Sequence, residues 1–319
     1  MEHTRQKNTG KVKDIKKTGW MVLFYTIVFS GIVSIGGTLM GMIVTQRYQG
    51  ILSQEDISNK LASSGMHYIV ALCAGLLVIS LFRGKEGLTD FTHVNQKIDF
   101  KIFFMLFSGF VGIQFLTTYV DTGLETIFNQ FGLTLKSQFS AASAGSTTFS
   151  MFLYTSFAAP IAEELVFRGA ILRSLEKYGK SFAIVASSAL FGIYHGNFSQ
   201  GIFAFFVGLI LGYTTIKFSL KWAIALHMFN NFILGDLLSH LTFGLPIHIQ
   251  SLISYIIILP FFVLGIFFLI KNRKAIYHFF FSTSVSLGAT KTFLTSIGII
   301  SFTGINLYYA INSVHQLIS

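Results

Sequence analysis

The chain has 319 residues, of which 52% are hydrophobic, 16% aromatic and 11% charged. An ordinary soluble protein carries about 25% charged residues, so the composition excludes a water-soluble globule and describes an all-α, polytopic membrane helix bundle. A net charge of +10 would suggest nucleic acid on a soluble protein; in this chain it reads as the positive-inside bias, and no nucleic-acid partner is expected.

The elements follow in chain order. Six basic residues (Arg5, Lys7, Lys11, Lys13, Lys16, Lys17) precede an apolar run that begins at Trp20. That run is too long for a signal-peptide core, which predicts a retained first span with a cytoplasmic N-terminus. Further runs of spanning length predict helices at about 19–45, 67–82, 102–120, 147–172, 181–195, 201–216, 222–238, 251–270 and 293–311, with 276–289 as a partial or tenth segment. Eight or nine crossings therefore form one integral membrane domain over 1–319. With nine crossings, only Arg47, Lys60 and Lys136 fall on the outer side, Arg168 falls within a span, and every other Lys and Arg falls on the inner side. A multi-pass protein of the cell membrane, with the lipid bilayer as its surroundings, is the expected localisation.

The single cysteine, Cys73, lies in an apolar run, which points to a small buried packing residue and to neither a disulfide framework nor a cysteine metal site. Gly37-x-x-x-Gly41 and Gly208-x-x-x-Gly212 let helix backbones approach closely. They suit tight internal packing, with a homodimer as the alternative.

Three polar clusters interrupt the apolar helices between residues 145 and 240, the expected catalytic core. An ionisable group at bilayer depth costs about 2.5–3.5 kcal/mol on insertion scales, so each is a functional-site hypothesis. Glu163, Glu164 and Arg168 follow Pro160. A proline within a helix removes one backbone bond and clashes with the carbonyl four residues earlier, here that of Ser156. A kink is expected, with the segment beyond it acting partly as a new helix N-terminus whose dipole favours a carboxylate. Glu164 and Arg168, four apart, should pair; Glu163, rotated by about 100°, is freer to face a cavity and act as a base. The second cluster is Phe191 and His195, one turn apart at the end of a helix, with Phe191 placed to wall off water. The third is His227 and Asn231, two neutral donors on one face, which suit an oxyanion hole; the adjacent Asn230 points elsewhere. One feature fits poorly. Counted from the inner charges at 1.5 Å per residue, His227 lies ~9 Å deep, Glu163 ~15 Å and His195 ~20 Å.

These clusters spell Glu163-Glu164-Leu-Val-Phe-Arg168, Phe191-Gly-Ile-Tyr-His195 and His227-Met-Phe-Asn-Asn231. In order and spacing they resemble the EExxxR, FxxxH and HxxxN-type motifs of the CAAX-protease and bacteriocin-processing (CPBP, Abi-type) family of intramembrane glutamate endopeptidases. The resemblance covers under a third of the chain. It implies an intramembrane peptide hydrolase in which Glu163, assisted by His195, activates water. His227 and Asn231 would stabilise the oxyanion, and Glu164, Arg168 and Phe191 would support the site. The implied partner is a peptide or small protein, in bacterial peptide processing, bacteriocin maturation or self-immunity, with no cofactor. Two alternatives stay open. One is a zinc metallopeptidase using Glu163, His195 and His227, although no HExxH signature is present. The other is a non-catalytic scaffold or immunity protein of the same fold. A proton-coupled transporter fits less well, because the polar residues form one site instead of a relay and no inverted repeat is visible.

Overall fold

The computed structural model describes residues 2–48, 63–84, 94–138, 146–281 and 287–317, with single positions at 51, 53, 56, 57 and 60. The described residues form a helix bundle: α1 (Glu2–Tyr48), α2 (Met66–Arg83), α3 (Phe100–Asn129), α4 (149–176), α5 (Lys180–Tyr194), α6 (Phe198–Lys217), α7 (220–242), α8 (Ile247–Phe281), α9 (Leu287–Leu294) and α10 (Ile297–Asn312). Their only strands are Leu133–Thr134 and His315–Gln316, paired antiparallel. Three of the helices begin at capping side chains. Asp99 accepts a hydrogen bond from the Ile102 amide, Thr148 from that of Met151 and Asn197 from that of Gln200. Gly179 (φ 129°) and Gly196 (φ 55°) make the left-handed turns that reverse the chain before and after α5.

Helices occupy all nine expected runs. Of these, α2, α3, α6, α8 and residues Lys13–Tyr48 of α1 are long and apolar enough to cross a membrane by themselves, and the α9–α10 pair, bent by 47°, is a sixth candidate. The remaining three, α4, α5 and α7, are shorter or interrupted by the polar clusters. Contacts between the turns sort the helix ends onto two faces. On the first face, Lys177 pairs with Asp14, Arg83 donates to Ser174, the Asn95 side chain to the Ile216 carbonyl, and Ser181 to the Phe280 carbonyl. On the second, Thr148 donates to the Ser63 carbonyl, Asn197 to that of Gln138, and Gln138 to that of Ala310. Each successive helix from α1 to α8 runs from one face to the other. Of the 276–289 stretch, residues 276–281 simply continue α8, 282–286 lie outside the described residues, and 287–289 open α9.

Large apolar side chains such as Leu81, Phe100, Ile256 and Phe267 are exposed along the outer helices. So continuous an apolar surface marks contact with lipid, not water. Cys73 lies on this outer surface and is exposed, contrary to expectation. In a membrane chain the lipid face is as apolar as the core, so an apolar run does not say which of its residues is buried. Gly208 and Gly212 do pack internally: a Cβ on Gly208 would stand 3.0 Å from the Arg168 Nη2, and one on Gly212 3.1 Å from Ile184. Gly37 has open space around it.

Candidate active site

The site begins with an irregularity in α4. Tyr154–Ala158 and Leu165–Leu172 are π-helical, as is Asn231–Leu237 in α7. One such stretch starts directly after Glu164 and another at Asn231. π-Turns place one extra residue per turn and recur at functional sites. The stretch at 154–158 also changes the expected role of Pro160. Backbone angles stay helical through Ala158 (φ −65°, ψ −45°) and Ala159 (φ −64°, ψ −53°), so the proline is absorbed by a π-turn and opens no new helix N-terminus. The dipole argument for the glutamates therefore lapses.

Glu164 and Arg168 are both fully buried and pair at 3.0 Å. The same Glu164 oxygen, Oε1, lies 3.0 Å from His227 Nδ1. As a carboxylate it accepts from both, which makes Nδ1 the protonated nitrogen of His227. The other ring nitrogen, Nε2, faces the Glu163 carboxylate at 3.8 Å. That separation is beyond hydrogen-bond range, and Glu163 makes no hydrogen bond among the described residues. One imidazole thus bridges two glutamates that differ sharply: Glu164 is tied twice, and Glu163, 13% exposed, is untied. The sequence expectation of a neutral donor at His227 needs revision. With its Nδ1 proton given to Glu164, a neutral His227 has only a lone pair at Nε2. It can donate there only as an imidazolium.

Phe191, 1% exposed, is where the three clusters meet. The Arg168 guanidinium lies 4.2 Å from the ring centre, within cation–π range. The His195 ring is 4.9 Å away and the His227 ring 5.9 Å away, both edge-on. His195 closes the circuit by donating from Nδ1 to the Phe191 carbonyl, 2.8 Å away, which leaves Nε2 as a free acceptor. Side chains lean toward the N-terminus of their helix, so His195, at the far end of α5, folds back toward the interior. This resolves the depth mismatch for that residue. Among the described residues no hydrogen bond joins His195 to Glu163; they are neighbours through Phe191 and His227.

Asn231 holds a position the sequence did not foretell. In the π-turn the Ala159 amide bonds the Tyr154 carbonyl, five residues back. In that register the Thr155 carbonyl would need the N–H of residue 160, which proline lacks. Asn231 supplies it, donating from Nδ2 to the Thr155 carbonyl at 3.1 Å. A second Nδ2 proton remains available. Asn230 is not turned away either: it accepts from Gln114 of α3 at 3.1 Å and donates to Asn231 Oδ1 at 3.2 Å, fixing the orientation of the Asn231 amide. The buried Asp236 accepts from the Ser146 amide and from the hydroxyls of Thr155 and Ser156, fastening α7 to α4. Sequence reading missed Gln114, Asn230, Thr155 and Asp236 as participants. The signal for Gln114 and Asp236 was there, a polar residue within an otherwise apolar run.

Tyrosines pack between α1, α2, α4 and α5. The Tyr25 ring of α1 lies 5.7 Å from that of Tyr194, and Tyr68 of α2 stacks on Tyr154 at 4.9 Å. Among the described residues no three His, Cys, Asp or Glu side chains are grouped as metal ligands. Glu163, His195 and His227 are thus not grouped as a ligand set.

No curated protein and no solved structure gives a significant match to the chain. Residues 145–233 match the family model described as type II CAAX prenyl endopeptidase Rce1-like, a span that starts ahead of Pro160 and ends just past Asn231. With the exposed apolar helices this describes a multi-pass membrane protein carrying a protease-like domain. The segment that holds the three clusters thus matches the Rce1-like endopeptidase model, which belongs to the CAAX-protease and bacteriocin-processing family.

Proposed function

We propose that the protein is an intramembrane glutamate endopeptidase that hydrolyses a peptide bond with Glu163 as the base. The observation that carries the reading is the contrast between two adjacent carboxylates: Glu164 is held by Arg168 and His227, while Glu163 faces the same imidazole unbonded. A base must be free to take a proton and close enough to pass it on. Water held between Glu163 and the open Nε2 of His195 loses a proton to Glu163 as its oxygen bonds the peptide carbonyl carbon. The C–N bond then breaks and that proton passes to the leaving amine. His227, as an imidazolium donating from Nε2, and the second Nδ2 proton of Asn231 stabilise the oxyanion. Two carboxylates, a guanidinium and an imidazolium sum to zero, so a charged His227 leaves the buried cluster neutral overall.

This chemistry uses no cofactor. The substrate class is a peptide or small membrane-inserted protein, in keeping with peptide processing, bacteriocin maturation or self-immunity in a bacterial plasma membrane. The basic first face, which carries Lys13, Arg83 and Lys177, is the cytoplasmic one, and the N-terminus lies on it. The test compares peptides released from membranes carrying the wild-type or the Glu163→Ala chain, read by mass spectrometry. Peptides present only with the wild type are expected and name the substrate. Identical release from the two membranes sinks the mechanism and favours a scaffold role.

A further inference from the structure

The site has a neighbour that the three motifs do not explain. Helices α1 and α10 touch at Gly19 and Gly298, where a Cβ on Gly298 would stand 2.5 Å from the Gly19 backbone. Beyond this crossing they separate and enclose a cleft of about 560 Å³, within the roughly 300–1,000 Å³ of ligand pockets. Gly31 and Gly304 line it, and each has open space where a side chain would be. None of Glu163, His195 and His227 lines the cleft, yet both walls lead to the end of α5 that carries His195. On one wall Thr26 follows Tyr25, whose ring meets Tyr194. On the other, Tyr309 packs 3.2 Å from where a Cβ on Gly196 would be, directly after His195.

The cleft is bordered by a residue with an unmet hydrogen bond. Thr26 is 2% exposed, and its hydroxyl has no partner among the described residues. Elsewhere on α1 the hydroxyls of Thr18 and Thr38 bond back to the carbonyls of Asp14 and Ser34. A buried hydroxyl without a partner is costly, and a hydrocarbon chain in the cleft could not relieve it. Ser30 and Ser34 continue the same face of α1 at four-residue steps and also line the cleft. Four helical residues rise about 6.0 Å, and two residues of extended peptide span about 6.6 Å. The hydroxyls therefore fall in register with alternate residues of a strand. A spanning helix, whose backbone is already bonded internally, offers them nothing.

We propose that this cleft binds the substrate peptide in extended form, with Thr26, Ser30 and Ser34 hydrogen-bonding alternate backbone groups of the segment that leads from the bilayer to Glu163 and His195. The proposal rests on the endopeptidase reading and adds to it a route of entry, between the first and last helices, and a conformation, unwound before cleavage. Recognition through the backbone is tolerant of sequence.

The test reads binding without cleavage. The full chain carries Glu163→Ala, Cys73→Ser and Ile27→Cys, in phosphatidylcholine vesicles. The probe is a synthetic decapeptide of Val, Thr and Ala whose single cysteine is moved one position at a time. Disulfide yield should alternate with a period of two along the probe. Adding Thr26→Val, of nearly the same shape, should lower the yield about 2- to 10-fold, as loss of one hydrogen bond implies. Gly31→Leu, placed in open space, should abolish cross-linking while the purified protein elutes as before. A period near 3.6, no cross-linking at any position, or a yield indifferent to Thr26→Val overturns the proposal. If cross-linking fails while peptide release still depends on Glu163, the groove alone is wrong. If release ignores Glu163, the endopeptidase reading is what has failed.

Discussion

The two sides of α4 differ although they start from adjacent glutamates. On one side Glu164, Arg168 and His227 form a buried cluster joined through one Glu164 oxygen beneath the Phe191 ring, with Gly208 leaving room for the guanidinium. On the other side Glu163 faces His227 without a hydrogen bond of its own. The lesson is one of division of labour. A charge buried in a membrane protein is tolerated when it is paired, and the pairing given to Glu164 leaves Glu163 without a hydrogen bond.

The largest expected effect breaks this comparison directly. Glu163→Gln should lower cleavage by about 10²–10⁴-fold, the usual contribution of a general base, while thermal unfolding in detergent stays near that of the wild type. Glu164→Gln should instead unfold at lower temperature. Equal stability losses in the two variants would show that the sides are not distinct. Next in size is Arg168→Met. It strands the Glu164 charge and should destabilise by about 3–5 kcal/mol, seen as a lower unfolding temperature and a poor yield of folded protein.

Asn231 sharpens the comparison because it touches both structure and chemistry. Asn231→Leu leaves the Thr155 carbonyl without a donor and should cost about 1–3 kcal/mol. Adding Pro160→Ala restores a backbone N–H where the proline had none, so stability should partly return. Cleavage should stay low if the second Asn231 proton serves the oxyanion. Recovery of both together would make Asn231 purely structural. The smallest effect concerns metal: cleavage should be unchanged within about twofold after dialysis against a strong chelator, because among the described residues no three His, Cys, Asp or Glu side chains are grouped as metal ligands. Loss of cleavage on chelation, with recovery on adding zinc, would revive the metallopeptidase.

The bundle and the pairing within α4 were legible because they depend on run length, charge and i,i+4 spacing. Glu164 with Arg168 needed only the helix repeat. Asn231 was harder. Its bond to Thr155 depends on a π-register, and nothing in the residues announces where a helix will take one extra residue per turn. The Pro160 kink was misjudged for the same reason. The depth of His195 followed from the backbone alone and ignored the lean of its side chain toward Phe191. Cys73 was read as buried because water sorts the faces of a soluble helix and lipid does not. Gln114 and Asn230 show the remaining gap. Each is a single polar residue, and the partner that explains it lies over 100 residues away.

The crossing of Gly19 with Gly298 bears on how the molecule is assembled. These glycines lie almost at opposite ends of the chain, and α1 packs against α10 more closely than any side chain would allow. At roughly 5–20 residues per second, about 15–55 s of synthesis separate them. For that interval the first helix stands in the bilayer without its partner, and the wall behind Tyr309 and His195 does not yet exist. Only when α10 arrives is the site enclosed, so the timing of synthesis keeps the bundle incomplete until that helix is made.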